Sequence, residues 1–184
     1  IVATRLLTYI SIVVLSLFAV TASAAQDSEL ETALLKTVFI YNFAKFTRWP
    51  EDQSKPTRDA LTLCSVGDDS ITNNLPKLSG RVLRGKPIKS VKISNESELG
   101  ECHVLYIAQS THNRIQEILQ PIKMRPILTI SEMQQFSQKG GMIELTQDQE
   151  KLRFIINLNT TRSSGLRLSS QLLDLAIIID NEAQ

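Results

Sequence analysis

The sequence of 184 residues is poor in the side chains that bind metals or act as nucleophiles. Its two histidines, His103 and His112, are not spaced at three or four residues, and no carboxylate cluster surrounds them. Its two cysteines are too few to complete a tetrahedral zinc site. We therefore predict neither a metal site nor a bound cofactor.

Motifs of common enzyme classes are also missing. The turn Gly67-Asp68-Asp69 follows a predicted strand, but it has one glycine where a dinucleotide-binding loop needs three, and its two carboxylates would repel a phosphate. There is no Gly-x-Ser-x-Gly elbow. Glu96 and Glu98 lie in a polar loop that is typical of solvated carboxylates. We predict that the protein is not an enzyme and has no catalytic residue.

Charge of either sign is not in excess, since the chain carries 20 basic and 19 acidic residues. A balanced chain gives no global reason to expect nucleic-acid binding. One local concentration of basic residues occurs in the stretch RVLRGKPIKSVK. This stretch fits a solvated edge strand, and an anion-binding or partner-binding patch is the alternative. Its basic members are Arg81, Arg84, Lys86, Lys89 and Lys92.

Long apolar runs are absent except near the amino terminus, where residues 10–20 are apolar apart from two serines. This run is shorter than the ~20 residues that span a membrane, and Ala22-Ser23-Ala24 follows it as at a signal-peptidase site. We predict that residues 1–24 are a cleaved export signal, with a retained membrane anchor as the alternative. Residues 25–184 are long enough to form one domain with its own core.

The predicted export indicates the chemical state of the two cysteines. In an oxidising compartment, an even pair such as Cys64 and Cys102 predicts a disulfide. The bridge would close a loop of 38 positions and add about 3.5–4 kcal/mol in the chain-entropy description. A redox-sensing pair is the alternative, and it would require an exposed or strained bond.

Half of the ten aromatic residues lie between positions 39 and 49. Leu35, Phe39, Phe43 and Phe46 recur at helical spacing, which predicts one buried face of a first helix that Pro50 ends. Two further rings do not lie on that face, and we predict that they contact a partner protein or a second copy of the chain. These two residues are Tyr41 and Trp49.

The rest of the chain alternates between predicted strands and helices. We predict strands over 61–66, 86–94, 102–110 and 125–131, with the last of these followed by a short helix that Ser131 caps. A helix should include 115–119, and a hairpin should turn at 147–150. Leu168, Leu172, Leu175 and Ile179 predict a final amphipathic helix.

This order predicts an α/β fold, a largely parallel sheet flanked by helices, with a C-terminal β-hairpin and a final amphipathic helix. In a doubly wound order, the strands near the two cysteines would be neighbours, as a disulfide requires.

Several segments together resemble the YfiR family of exported proteins. They are VFIYNFAKFTRWP, LCSVGDD, CHVLYIAQS, RPILTISEMQQFSQKGGMIEL, FIINLN and SGLRLSSQLLDLA, in this order. The resemblance implies a periplasmic homodimer that represses an inner-membrane diguanylate cyclase through its periplasmic region, which lowers cyclic di-GMP and biofilm formation. Family members also occur beside histidine kinases or uptake systems, so a small-molecule-binding accessory of such a system is the alternative.

The resemblance also implies two ligand-binding residues in the Gly-Leu-Arg-x-Ser segment. These are Arg167 and Ser169, and the expected ligand is a small anion. An arginine at the start of the predicted last helix would act there with free backbone N–H groups. A second cysteine pair found in the best-known family member is absent near the FSQKGGMIEL stretch. The same kind of redox control is therefore not implied.

Overall fold

A computed structural model describes residues 29–50, 59–149 and 151–180. The predicted export signal lies outside the described residues, as do residues 51–58. Within those three ranges, none of the helices combines the length and the apolar character that crossing a membrane requires.

The described part of the chain has ten strands, which form one large sheet and one small ribbon. The large sheet has eight strands in the order β10-β8-β7-β6-β5-β2-β4-β3, and its neighbours are parallel except for β3–β4 and β7–β8. The ribbon pairs β1 with β9 antiparallel. The strands are β1 (Thr47–Arg48), β2 (Leu61–Val66), β3 (Val82–Leu83), β4 (Lys86–Lys92), β5 (Val104–Ile107), β6 (Leu128–Ser131), β7 (Ile143–Asp148), β8 (Lys151–Asn157), β9 (Arg167–Leu168) and β10 (Ile177–Ile179).

The helices lie between these strands, which confirms the predicted α/β class and the predicted hairpin, formed by β7 and β8. Helix α1 covers 29–45 of the described chain. The others are α2 (Ser70–Asn74), α3 (Ile115–Leu119), α4 (Leu158–Ser163) and α5 (Ser170–Leu173), with 3₁₀ segments at Leu75–Leu78, Glu96–Glu101, Gln109–Arg114 and Gln120–Ile122.

The sheet has two differently covered faces, because successive side chains on a strand point to opposite sides. On the helix face, side chains such as Leu63, Tyr106 and Ile130 pack with α1 and α2. On the disulfide face, Leu105 and Ile107 pack with α3 and the adjoining 3₁₀ segments. Both layers exclude water, so the central strands β5 and β6 are buried along their whole length, as the continuous apolar run CHVLYIAQS predicts.

The disulfide between Cys64 and Cys102 is present, with 5.7 Å between the two Cα atoms. Strands β2 and β5 are parallel neighbours that pair Cys64 with Leu105, and Cys102 lies just before β5. Both cysteines are buried in the core of the disulfide face. Burial favours a structural bridge over the redox-sensing alternative, which requires access to a thiol.

The first helix buries a different face from the one that its aromatic spacing predicts. Leu35, predicted to be core, is 49% exposed, whereas Phe43 is buried and Phe39 and Phe46 are partly buried. Small residues allow a helix to approach a sheet closely, and α1 packs on the sheet with a face that contains such residues and does not contain Leu35. The buried positions besides Phe43 are Ala33, Thr37, Ile40 and Ala44.

The predicted final helix is only one turn long. Ser169 caps α5 by accepting a hydrogen bond from the Leu172 backbone N–H (3.3 Å), and the chain then continues as strand β10. The prediction of helix through Leu175 and Ile179 is therefore wrong. Three consecutive isoleucines favour a strand, and the free edge of β8 supplies the backbone partners that they need.

The helix predicted after Ser131 is also wrong, since residues 133–140 form turns. Ser131 is the last residue of β6, and its hydroxyl donates to the Ile107 carbonyl (2.7 Å). The buried carboxylate of Glu144 accepts from the Gln135 and Ser137 backbone N–H groups (3.0 and 3.1 Å) and from the Ser137 hydroxyl (2.6 Å). These bonds satisfy the loop backbone in place of a helix.

Candidate ligand site and partner surface

The ribbon of β1 and β9 holds the predicted ligand residue Arg167. Its register places Arg167 opposite Arg48, and Thr47 opposite Leu168. Directly opposed residues of an antiparallel pair share a face, so the two exposed guanidinium groups lie on the same side of the ribbon. The fold anchors this ribbon through Thr47, which is buried and whose hydroxyl donates to the Phe43 carbonyl (2.6 Å).

Two like charges in opposed positions destabilise a strand pair. Among the residues that the structure describes, no carboxylate is in ion-pair contact with Arg48 or Arg167. A bound anion would relieve their repulsion, and guanidinium groups bind carboxylates and phosphates with two parallel hydrogen bonds. The arginine pair is therefore suited to a small carboxylate or phosphate.

Ser169 lies two positions after Arg167 and so faces the same side of the strand. Its backbone N–H donates to the Phe46 carbonyl (3.0 Å), which extends the ribbon by one pair. Its hydroxyl oxygen caps α5, so its hydroxyl hydrogen can still point to a ligand. The structure thus brings together the two residues predicted for the ligand site and adds Arg48 to them.

The prediction for this site was wrong in one respect. Arg167 does not lie at the start of a helix, because it belongs to β9. Sequence reasoning missed Arg48, although it lies in the TRWP segment that marks the end of α1. No local pattern indicates that this segment pairs with residues 167–168, since the two are distant in the chain.

The predicted contact residue Tyr41 lies on the outer face of α1, which we define as Leu30, Leu34, Leu35, Val38 and Tyr41. Leu30, Leu35 and Val38 are 48%, 49% and 51% exposed. Exposed apolar side chains are ordinary when scattered, but a contiguous patch marks an interaction site. Among the described residues, the Tyr41 hydroxyl reaches the Val82 carbonyl at 3.5 Å, and Leu30, Leu35 and Val38 remain about half exposed.

The second predicted contact residue, Trp49, is turned towards the fold. Its indole N–H donates to the His103 carbonyl (3.2 Å), and its ring lies edge-on to the imidazole with 6.2 Å between centroids. The His103 Nδ1 accepts from the Thr62 backbone N–H (3.0 Å). The contact between the two rings therefore joins the segment after α1 to the amino-terminal ends of β2 and β5. Trp49 and Tyr41 therefore do not form one surface.

A doubly wound sheet often binds ligands where its strand order reverses. Here that point lies between the carboxyl ends of β2 and β5, and residues of the protein itself occupy it. The Ser110 hydroxyl accepts from the Asp68 backbone N–H (2.9 Å), and a Cβ atom at Gly67 would lie 2.7 Å from the Ser110 hydroxyl oxygen. The Tyr106 hydroxyl donates to Asp69 (2.7 Å) on the helix face.

Burial raises the pKa of Tyr106 well above its ordinary value, and the charges of Asp69 and Glu132 raise it further. The phenol therefore stays protonated and keeps its bond to Asp69. Lys36 of α1 pairs with Glu132 and covers the same end of the sheet. The reversal point is a closed polar cluster and not an open ligand crevice.

A concave region of about 300 Å³ lies on the disulfide face, between α3 and the turns at 133–140. Lys123 and Lys139 are among its lining residues, and Arg167 and Ser169 are not. The predicted ligand residues therefore lie on an open ribbon and not in this groove.

A family model described as YfiR/HmsC-like matches residues 33–177. The chain belongs to the YfiR/HmsC-like family. The match includes most of α1, the disulfide and the arginine ribbon, which confirms the family predicted from the sequence motifs. Members of the YfiR/HmsC-like family are periplasmic regulators rather than enzymes.

Two solved structures are similar to part of this chain at low sequence identity. One is a conserved domain protein from Vibrio cholerae O1 biovar El Tor, with 10% identity, a TM-score of 0.47, and 64% of this chain and 54% of that chain covered. The other is an ABC domain in complex with L-Trp from Streptococcus pneumoniae, with 9% identity, a TM-score of 0.46, and 66% and 57% covered. The chain thus spans little more than half of each.

Proposed function

We propose that this protein is a periplasmic binding protein that represses an inner-membrane diguanylate cyclase through the cyclase's periplasmic region, and so lowers cyclic di-GMP and biofilm formation. Membership in the YfiR/HmsC-like family supports a regulator with a membrane-associated partner. The proposal includes export by a cleaved signal peptide over residues 1–24. Mass spectrometry of the periplasmic protein should find an amino terminus at Ala25.

The observation that carries this proposal is the apolar outer face of α1. A regulator without catalytic groups acts by binding, and it can shift its partner only by binding one state more tightly than the other. The outer face of α1 offers Leu35 and Val38 about half exposed on a rigid helix whose opposite face is fixed in the core. Such a surface can hold the cyclase in its inactive state.

The test is cyclic di-GMP in the native bacterium. Deletion of the gene should raise cyclic di-GMP, and wild-type protein should restore it. Leu35→Glu/Val38→Glu should fail to restore it, because two carboxylates are placed in the contact. Met124→Glu is the matched control, since Met124 is an exposed apolar residue remote in sequence from α1.

Periplasmic levels of each variant are measured alongside, so that loss of the protein is recognised. Unchanged cyclic di-GMP on deletion, in cells that express the protein, would refute cyclase repression. Full restoration by the α1 variant would instead refute the role of this surface.

A second candidate function is a small-molecule receptor that serves a histidine kinase or an uptake system. The opposed pair Arg48 and Arg167 favours it, because the pair is suited to a small carboxylate or phosphate. Both functions coexist if ligand binding changes the affinity for the membrane partner, in which case the partner changes the affinity for the ligand by the same factor.

Calorimetric titration of the purified protein with succinate and with inorganic phosphate tests this site. Arg48→Gln/Arg167→Gln should weaken binding at least about tenfold, as expected when charge-assisted hydrogen bonds are lost. Arg162→Gln removes an exposed arginine of the nearby helix α4 and should leave the affinity unchanged. Equal affinity of the double variant and the wild type would refute the site.

The proposal also includes a homodimer. The edge strand β10 supports it, because Ile177 and Ile178 are exposed at the end of the sheet, with Leu175 beside them. An unpaired edge readily accepts another strand. Sedimentation of Ile177→Lys should show a smaller assembly than wild type. An unchanged dimer would place the interface elsewhere.

A further inference from the structure

The basic stretch noted in the sequence forms a hairpin at one edge of the large sheet. Strands β3 and β4 are joined by Arg84 and Gly85, which both have positive φ (55° and 78°), as a tight two-residue hairpin turn requires. We call residues 81–89 the basic hairpin. Its strand β3 is the outermost strand of the described sheet, so its outer edge is open.

The basic hairpin belongs to a segment of one charge sign. Residues 70–95 contain no acidic residue, although the chain as a whole is balanced. Lys92 is paired with Asp68, which leaves the remaining basic side chains of the segment without an ion pair among the described residues. These are Lys77, Arg81, Arg84, Lys86 and Lys89.

Protection of an open edge accounts for part of this charge, since lysine is a common residue for preventing strand pairing there. It does not explain an acid-free segment that extends from residue 70 to residue 95, well beyond the edge strand β3. A uniformly positive surface attracts a negative one. The hairpin is therefore suited to a partner of negative charge.

The hairpin also presents apolar groups beside its charges. Val82 is 63% exposed, and its opposite residue Pro87 is exposed as well. Opposed residues lie on the same side of a hairpin, so the two form an apolar pair, and Lys89 lies on the same side of β4 as Pro87. Apolar side chains flanked by arginine and lysine are the combination that binds an anionic lipid surface, where the apolar groups enter the interface and the cations contact headgroups.

We infer that the basic hairpin docks on the anionic surface of a phospholipid bilayer. The Tyr41 hydroxyl reaches the Val82 carbonyl, so the hairpin adjoins the outer face of α1. A bilayer-bound protein would have a raised effective concentration towards a membrane-embedded partner. The inference concerns lipid and does not depend on the identity of that partner.

Vesicle flotation with the purified protein tests the inference. Vesicles of equal parts phosphatidylglycerol and phosphatidylcholine should bind the protein at low salt, and vesicles of phosphatidylcholine alone should bind much less. Each removed positive charge should lower the partition coefficient about fivefold, the effect of about 1 kcal/mol per basic residue. Arg81→Gln/Lys89→Gln should therefore lower it about 25-fold.

Val82→Asp should also reduce binding, because it replaces the apolar contact with a negative charge. Lys123→Gln/Lys139→Gln removes two positive charges from the groove on the disulfide face and is the matched control. Circular dichroism establishes that each variant is folded. The control should retain the wild-type partition coefficient.

Two outcomes would overturn the inference. One is the absence of binding to anionic vesicles at low salt. The other is an equal loss of binding in the control and in the hairpin variant, which would mean that only total charge matters. If the hairpin variants instead bind an acidic protein partner less tightly while vesicles bind no protein, the hairpin docks on that protein and the lipid inference is wrong.

Discussion

The two faces of the sheet are stabilised in different ways. The helix face is covered by α1, a helix of about four and a half turns that brings Ile40 and Phe43 into the core. The disulfide face is covered by the five-residue helix α3 and by 3₁₀ segments. Helices so short are marginal by themselves. A long amphipathic helix thus covers one face of the sheet through packing, whereas the short segments on the other face gain stability from a covalent link.

The largest effect should come from Phe43→Ala on the helix face. Phe43 is buried and lies edge-on to Phe39 and Phe154, with 6.0 and 4.9 Å between ring centroids. Its removal should lower the free energy of unfolding by about 3–5 kcal/mol, measured by urea denaturation. Val38→Ala, on the outer face of the same helix, should change it by less than about 0.5 kcal/mol. Similar values for both variants would contradict the assignment of the buried face.

Loss of the Cys64–Cys102 disulfide should lower the free energy of unfolding by a comparable or slightly smaller amount. Cys64→Ala/Cys102→Ala should lower the free energy of unfolding by about 3.5–4 kcal/mol, because the unfolded chain regains the freedom of its closed loop. Hydrogen exchange should accelerate first in the segment Glu96–Glu101, which the bridge ties to β2. A loss below about 1 kcal/mol would mean that packing alone secures the disulfide face.

A smaller effect should appear at alkaline pH. The pKa of Tyr106 in the folded protein lies well above its ordinary value of 10.0, because the phenol is buried and lies beside Asp69 and Glu132. Below about pH 10 both the folded and the unfolded states keep the proton, so this contribution to stability is fully present. Above that pH the unfolded chain loses the proton first, and the free energy of unfolding falls by up to about 1.4 kcal/mol per pH unit.

Tyr106→Phe lacks the phenol, so its free energy of unfolding should fall less with rising pH than that of the wild type. Urea denaturation between about pH 9 and pH 11 measures this difference. Phe43→Ala is the control, since it lowers stability without removing a titrating group and its pH profile should run parallel to that of the wild type. Parallel profiles for Tyr106→Phe and the wild type would show that the phenol is not retained in its protonated form.

The smallest expected effect is a gain in stability. Arg48→Gln relieves the repulsion between opposed guanidinium groups and should raise the free energy of unfolding of the ligand-free protein by about 0.2–1 kcal/mol at low salt. Added salt should reduce the gain, since it screens exposed charges. A loss of stability would show that Arg48 has a favourable contact in the free protein.

Local patterns predicted several parts of the fold well. Strand β2 occupies the predicted residues, Leu61–Val66, because a short apolar run between turns has one compact solution in a buried sheet. The disulfide followed from an even cysteine count together with predicted export. In the candidate site, Arg167 and Ser169 are close in the sequence, whereas Arg48, which opposes Arg167, comes from a distant segment that no local pattern indicates.

The sequence by itself determined the alternation of strands and helices and the cysteine pair, because these depend on local spacing and composition, and its motifs resemble those of the family that the family model matches. Tertiary structure alone decided which side of α1 is buried, that Ile177–Ile179 is a strand, and that Arg48 opposes Arg167. In each of these cases the deciding partner is distant in the chain. Helical spacing fixes which residues share a face, but only the packing surface selects the face, and only a free strand edge turns an amphipathic segment into a strand.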